Sequence, residues 1–137
     1  MEQLLVDAMR AYLAAGVAMD LDRLGACYDD EFQNLRVDQA GQVVTITKAQ
    51  FMQRFADMKA QGKALEPADD ATFPAATTFG DYGIVVMRRV KEGGPVMYAF
   101  VWRLRDGQPT TILRELSFED DLTYLIKIMQ AAQLQSV

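Results

Sequence analysis

The chain of 137 residues reads as an α+β domain in which a strongly curved antiparallel sheet wraps around N-terminal helices, with an extra helix at the C-terminus. Three observations carry this reading. Helical periodicity is confined to three stretches before residue 62 and one after residue 120. Four β-type segments follow one another between 71 and 119 with no helical pattern between them. The separators of those segments, Gly80-Asp81, Gly93-Gly94 and Asp106-Gly107, are turn dipeptides that supply positive φ, so the strands fold back as successive hairpins. Helices segregated from a run of strands are the mark of α+β rather than alternating α/β architecture.

Residues 3–16 predict a first helix, with Leu5, Met9, Tyr12 and Gly16 at helical spacing and Leu4 and Leu13 widening the stripe. Asp20 is the expected N-cap of a short second helix carrying Leu21, Leu24 and Tyr28, closed by the acidic run Asp29-Asp30-Glu31. A strand is expected over 32–37, a turn at Gly41 and a return strand over 43–46. Thr47 and Gln50 have the spacing of a capping box, and Ile46 and Phe51 that of a hydrophobic staple. The third helix then buries Phe51, Phe55 and Met58 and stops at Gly62. A loop with Pro67 leads to strands over 71–79, 82–91, 95–105 and 110–119. Pro74 places the first of these at a sheet edge or at a bulge. Asp120 or Asp121 caps a last helix whose apolar face is Leu122, Leu125, Ile126, Met129 and Ala132. No repeat or low-complexity tract interrupts the chain, and 1–137 is expected to be one domain.

Composition excludes several chemistries. Half the residues are hydrophobic and 24% charged, which a disordered chain would not show. The net charge of −5 comes with no basic stripe, so nucleic acid is not an expected partner. No apolar stretch is long enough to span a membrane, and no membrane association is expected. Cys27 is the only cysteine, which excludes an intrachain disulfide and fits a reducing, cytoplasmic setting; Glu2, Asp7 and Arg10 are out of place in a secretory leader. There is no histidine. That removes the usual Ser-His-Asp and Cys-His systems and His-ligated metal sites, and leaves acid–base work to Asp, Glu, Tyr, Lys or Cys.

Candidate site residues come from the strands and the first helix. Ile84, Val86 and Val90 share strand parity with Arg88, and Ile112, Leu116 and Phe118 share it with Arg114. An arginine on an apolar face has two readings. It binds an anionic group inside the cone, or it lies at a sheet edge or dimer interface or pairs with Glu115 or Glu92, with any bulge shifting the parity. Val96, Tyr98, Phe100, Trp102 and Leu104 form an aromatic face that lines a cavity, packs on helices or packs across a dimer. Tyr12 lies on the buried stripe of the first helix. Cys27 has no histidine to activate it and reads as a small apolar residue. The acidic groups 29–31, 69–70 and 119–121 lie at element boundaries and lack a calcium-loop pattern, so no metal is expected. The glycine-rich motifs of nucleotide cofactors are absent, and no cofactor is expected.

The segments Arg10-Ala11-Tyr12-Leu13-Ala14-Ala15, Asp20-Leu21-Asp22-Arg23-Leu24 and Tyr28-Asp29-Asp30-Glu31-Phe32, followed by the helix Thr47 to Phe55, resemble the NTF2-like superfamily, by motif over the first 60 or so residues of this chain and by element order over the rest. That superfamily includes ketosteroid isomerase, scytalone dehydratase and SnoaL-type cyclases. The resemblance implies a cone-shaped fold around a small-molecule pocket. It puts Tyr12 where ketosteroid isomerase has its oxyanion-hole tyrosine, a hydrogen-bond donor to a developing enolate. It puts Arg36 where that enzyme has its catalytic aspartate, and a guanidinium cannot be a general base. Asp38, two residues on and of the same parity, is the alternative carboxylate. The histidine of scytalone dehydratase is absent.

The expectation is a protein with a small-molecule pocket, of isomerase, cyclase or dehydratase type, acting on a small organic substrate, anionic where the arginines face the cone. The alternative is a non-catalytic binding, homodimerisation or protein-interaction module of the same fold. Tyr12 and Asp38 are the candidate catalytic residues. Tyr28, Arg36, Phe51, Phe55, Arg88, Tyr98, Trp102 and Arg114 are the candidate pocket residues. A homodimer is expected, because Val85, Met87, Val101 and Leu113 on the outer sheet face need cover.

Overall fold

A computed structural model describes residues 2–91 and 93–135. Helices α1 (Glu2–Val17) and α2 (Leu21–Cys27) precede strands β1 (Tyr28–Asp38) and β2 (Val43–Thr47). Helix α3 (Lys48–Ala60) leads to β3 (Thr72–Phe79), β4 (Tyr82–Lys91), β5 (Gly94–Arg105) and β6 (Gln108–Glu119), and α4 (Thr123–Gln135) follows. The strands form one sheet in the order β2-β1-β6-β5-β4-β3.

The meander β3–β4–β5–β6 is antiparallel, as the turn dipeptides require. At the β5–β6 turn, Asp106 and Gly107 both have positive φ (52° and 74°), the backbone of a tight hairpin. The pairing of β1 with β6 is parallel, so the sheet is mostly rather than wholly antiparallel. Local turn chemistry specifies hairpin neighbours only; strands brought together from opposite ends of the chain take the direction their long connections deliver. Register shifts interrupt β1 between Tyr28 and Gln33, β3 between Thr72 and Ala75, and the β5–β6 ladder twice. Such bulges bend a strand and tighten its twist, which curls the sheet into a cone. Pro74 sits in one of these shifts and also on the edge strand β3, so both of its expected roles hold.

α1 fills the cone. Leu5, Met9, Tyr12 and Ala15 pack against Val85, Met87, Phe100, Trp102 and Ile112 in one continuous core. The approach is close: a Cβ on Gly83 would lie 2.5 Å from Leu5 Cδ2. Trp102 Nε1 donates to Met9 Sδ at 3.3 Å, which satisfies the buried indole. The cap of α2 is as expected, with Asp20 Oδ1 accepting from the Arg23 amide at 3.2 Å. The acidic run after it does not close the helix; it belongs to β1. Asp29 is held across the sheet, accepting from Arg103 Nε (3.0 Å) and Thr111 Oγ1 (2.8 Å), and these strand contacts outcompete a capping role.

Both bonds of the α3 capping box form, at 3.2 and 2.9 Å. Its C-terminus is a Schellman turn: the Lys63 amide donates to Met58 O at 2.9 Å, the Gly62 amide to Lys59 O at 3.0 Å, and Gly62 has φ of 71°. Phe51 packs against a cluster that includes Ile46, consistent with the staple. α4 rests on Val44, Ile46 and Leu122 through Leu125, Ile126 and Met129, whereas Ala132 is exposed. Asp121 accepts from the Thr123 amide at 2.9 Å. Among the described residues no helix is long and apolar enough to cross a membrane.

Candidate functional site

The concave face of the sheet, α1, α3 and the loop around residues 64–68 enclose a cavity of about 580 Å³. That volume suits a small organic molecule. Tyr12, Phe51, Phe55, Tyr98 and Phe100 give it aromatic walls. Leu65 leans in from the loop, and a Cβ on Gly16 would lie 3.1 Å from Leu65 Cδ1, so the bare backbone of α1 lets the loop close down.

The polar floor comes from β1 and β6. After Phe32, alternation on β1 turns Asn34 and Arg36 inward. Asn34, 1% exposed, is the hub. Its Oδ1 accepts from Arg36 Nε at 3.0 Å, and its Nδ2 donates to Glu115 Oε2 at 2.9 Å and to Ser117 Oγ at 3.2 Å. Glu115 and Ser117 are both buried. They face inward because of a bulge: Val101 pairs with Arg114 while the next residue, Trp102, pairs with Ile112, leaving Leu113 as the extra residue. Ile112 and Glu115 therefore share a face that simple alternation would forbid.

Burial pushes the Glu115 carboxyl up to about 7, although the Arg36 charge, the Asn34 hydrogen bond and the Lys91 charge pull it down. Close by, the Tyr12 and Tyr28 hydroxyls share a hydrogen bond of 2.6 Å. Burial, reinforced by the charge of Glu115, holds both phenols well above their usual value, so both stay protonated. Only Tyr12 reaches the cavity wall. Either hydroxyl can be the donor of that bond, and in the arrangement where Tyr28 donates to Tyr12 the Tyr12 proton is free for an occupant.

The structure places Tyr12, Arg36, Phe51, Phe55 and Tyr98 on the cavity wall. Tyr28 lies behind Tyr12, and Trp102 is buried in the core beneath α1. Three candidates lie elsewhere. Arg88 is exposed on the convex face, because β4 turns Gly83, Val85 and Met87 inward; its neighbour Arg89 lines the cavity instead. Arg114 is turned outward by the bulge and donates to Glu31 O and Leu113 O at 2.8 and 2.7 Å. Asp38 closes the β1–β2 turn and the start of α4, accepting from the Gln42 and Leu122 amides at 2.8 and 2.9 Å. Those bonds, that of Leu122 first, hold its carboxyl below the ordinary value. Cys27 is half-buried, and burial raises its thiol, the opposite of activation. Glu92 lies outside the described residues. Among those described, no three acidic or sulfur groups converge as a metal site would require.

Sequence reasoning had missed Asn34, Arg54, Arg89, Lys91 and, as a site residue, Glu115. Asn34 was accessible, being polar between Phe32 and Arg36 at strand spacing. Arg89 was ambiguous, since Val85 and Met87 compete with Ile84 and Val86 for the core face.

The architecture defines an NTF2-like cone: helices inside a bent, mostly antiparallel sheet, with a cavity between them. No family model and no curated protein matches the chain. Solved structures do. An NTF2-like protein of unknown function from Silicibacter pomeroyi superposes with a TM-score of 0.64 at 13% identity, covering 84% of this chain and 92% of that one. A second, from Shewanella baltica, gives 0.61 at 11% identity, with 84% and 90% covered. An NTF2-like protein from Cytophaga hutchinsonii gives 0.56 at 15%, with 85% and 95% covered. At these identities the likeness establishes the fold, and the function has to be argued from the site.

Proposed function

We propose that the protein binds a small organic carbonyl compound in the cone and moves a proton on it, as an isomerase, cyclase or dehydratase does. The observation that carries this reading is a buried carboxyl titrating near 7, Glu115, on the same cavity as a protonated buried phenol, Tyr12. A group titrating near neutrality both accepts and returns protons at physiological pH. Ionised Glu115 takes a proton from the carbon beside the carbonyl. The electron pair of that C–H bond forms a carbon–carbon double bond as the carbonyl π pair moves onto the oxygen, where Tyr12 donates a hydrogen bond to the enolate. Glu115 then returns the proton to the oxygen or to another carbon of the enolate. The carboxylate that the family resemblance would have put at Arg36 is supplied from the neighbouring strand, where Glu115 pairs with Asn34.

The test is proton exchange in D2O, followed by NMR on cyclic enones and hydroxyaryl ketones. Wild type should accelerate deuterium uptake at the acidic carbon, and Glu115→Gln should lower that rate by about 10²–10⁴-fold. Tight binding of the panel with no exchange above background would leave the non-catalytic binding module as the correct reading.

We also propose that the chain self-associates through the convex sheet face. Val85 and Met87, expected there, are core residues, but Ile84, Met97 and Phe118 are exposed on that side. Light scattering should give twice the 15.3 kDa chain mass, and Ile84→Lys should return it to the monomer value.

A further inference from the structure

The charge on the cavity wall is opposite to that of the chain. The whole chain carries −5, yet the cavity is lined by Arg36, Arg54, Arg89 and Lys91 against Glu66 and Glu115. Cations outnumber carboxylates two to one, and by more when Glu115 is protonated. Among the described residues no carboxylate lies within ion-pairing distance of Arg36, Arg54 or Lys91, although other basic residues do find partners, such as Arg103 with Asp29 at 3.0 Å. Arg36 uses Nε on Asn34, and no hydrogen bond from the described residues engages the two terminal nitrogens of its guanidinium. Arg54 reaches the rim of the same cavity from α3, which packs on β1, close enough to feel the charge of Arg36. Arg89 adds a third sign of missing negative charge. Its Nη2 ties down the loop through Pro67 O at 2.9 Å and Asp70 at 3.4 Å, but its Nε is buried with no acceptor. A buried donor without a partner is uncommon in a folded protein and calls for an acceptor.

Two like charges sharing a partly buried wall repel unless an anion bridges them, and a carboxylate presents two oxygens to guanidinium groups. We propose that the occupant of the cone is a small aromatic carboxylate, its anionic group bridging Arg36 and Arg54 and its ring seated among Phe51, Phe55, Tyr98 and Phe100. This specifies the ligand class for the pocket reading above and rests on it.

The test compares 1-naphthoate with its neutral isostere 1-naphthamide by isothermal titration calorimetry at pH 6. Wild type should bind the carboxylate at least about tenfold more tightly than the amide, and the preference should shrink between 50 and 500 mM NaCl, values chosen to span roughly the Debye range. Arg36→Met should bring the two ligands to similar affinity. Arg54→Met, a change on the exposed face of α3 that spares the Asn34 network, should lower the preference several-fold. Equal affinity of both ligands for wild type overturns the inference and leaves the pocket reading standing. A preference that survives in both variants also overturns it. Binding of neither ligand at millimolar concentration overturns both.

Discussion

Replacing Glu115 with glutamine removes one ionisation from the floor of the cavity and preserves its shape, including the acceptor that Asn34 uses at 2.9 Å. In the unfolded chain the carboxyl titrates at its ordinary value of 4.5; burial raises it to about 7 in the folded protein. Between those values the folded state holds a proton that the unfolded state has released. Wild-type stability attributable to this group is therefore fully present below about 4.5 and is lost as pH rises through 7. At 1.36 kcal/mol per pH unit the displacement is worth roughly 3 kcal/mol at most. Glu115→Gln has no such dependence. It should match wild type near pH 4.5 and exceed it by up to about 3 kcal/mol at pH 8.5. With an unfolding entropy of roughly 2.1 cal/mol/K per residue, that is about 10 °C in Tm for a chain of this length. Urea denaturation followed by the fluorescence of Trp102, the only tryptophan and a buried one, reads the difference directly. Comparing the two proteins at each pH cancels the contributions of Asp29 and Asp38, whose carboxyls are held low in both. A difference that does not change between pH 4.5 and 8.5, or a variant less stable than wild type at the upper end, would refute the argument that burial dominates at Glu115.

Tyr12→Phe deletes one partner of the 2.6 Å hydroxyl pair. It should lower stability by about 1 kcal/mol and proton-exchange turnover by about 10²-fold, read by denaturation and by the NMR assay. Arg114→Ala should leave the affinity for naphthoate unchanged, because this side chain is anchored to Glu31 O and Leu113 O outside the cavity; a large loss would mean the bulge on β6 has been misread. Gly83→Val forces a branched side chain into the space of Leu5 and should destabilise the fold by about 1–3 kcal/mol in urea.

Most of the fold was legible because its signals are local. The Thr47 capping box, Gly62 in the Schellman turn, the Asp20 cap and the three turn dipeptides each act within about five residues, and each holds. The boundaries that moved were those decided at long range. Asp29 looks like the end of a helix until Arg103 and Thr111 claim it across the sheet. Of the site, the residues on regular elements were legible: Tyr12 on α1, Phe51 and Phe55 on α3, and Arg36 and Tyr98 on uninterrupted stretches of strand. Arg88 and Arg114 were misassigned for different reasons. On β4 both faces carry apolar side chains, so alternation cannot say which is inside; on β6 one extra residue reverses the alternation halfway along.

The amino-acid sequence by itself determined the class of fold, the hairpin order of the last four strands, the absence of histidine and intrachain disulfide chemistry, and the place of Tyr12 on the buried stripe of α1. Those follow from composition, periodicity and short-range turn and cap geometry. Only the tertiary structure decided that β1 lies parallel to β6, that the bulge at Leu113 turns Glu115 inward, and that Arg36, Arg54, Arg89 and Lys91 line one cavity. The physical reason is the same for all three. Strand direction, bulge position and the company a charge keeps are set by segments as far as 81 residues apart in the chain, the separation of Asn34 and Glu115, and the raised affinity of Glu115 for its proton exists only once those segments have excluded water around it.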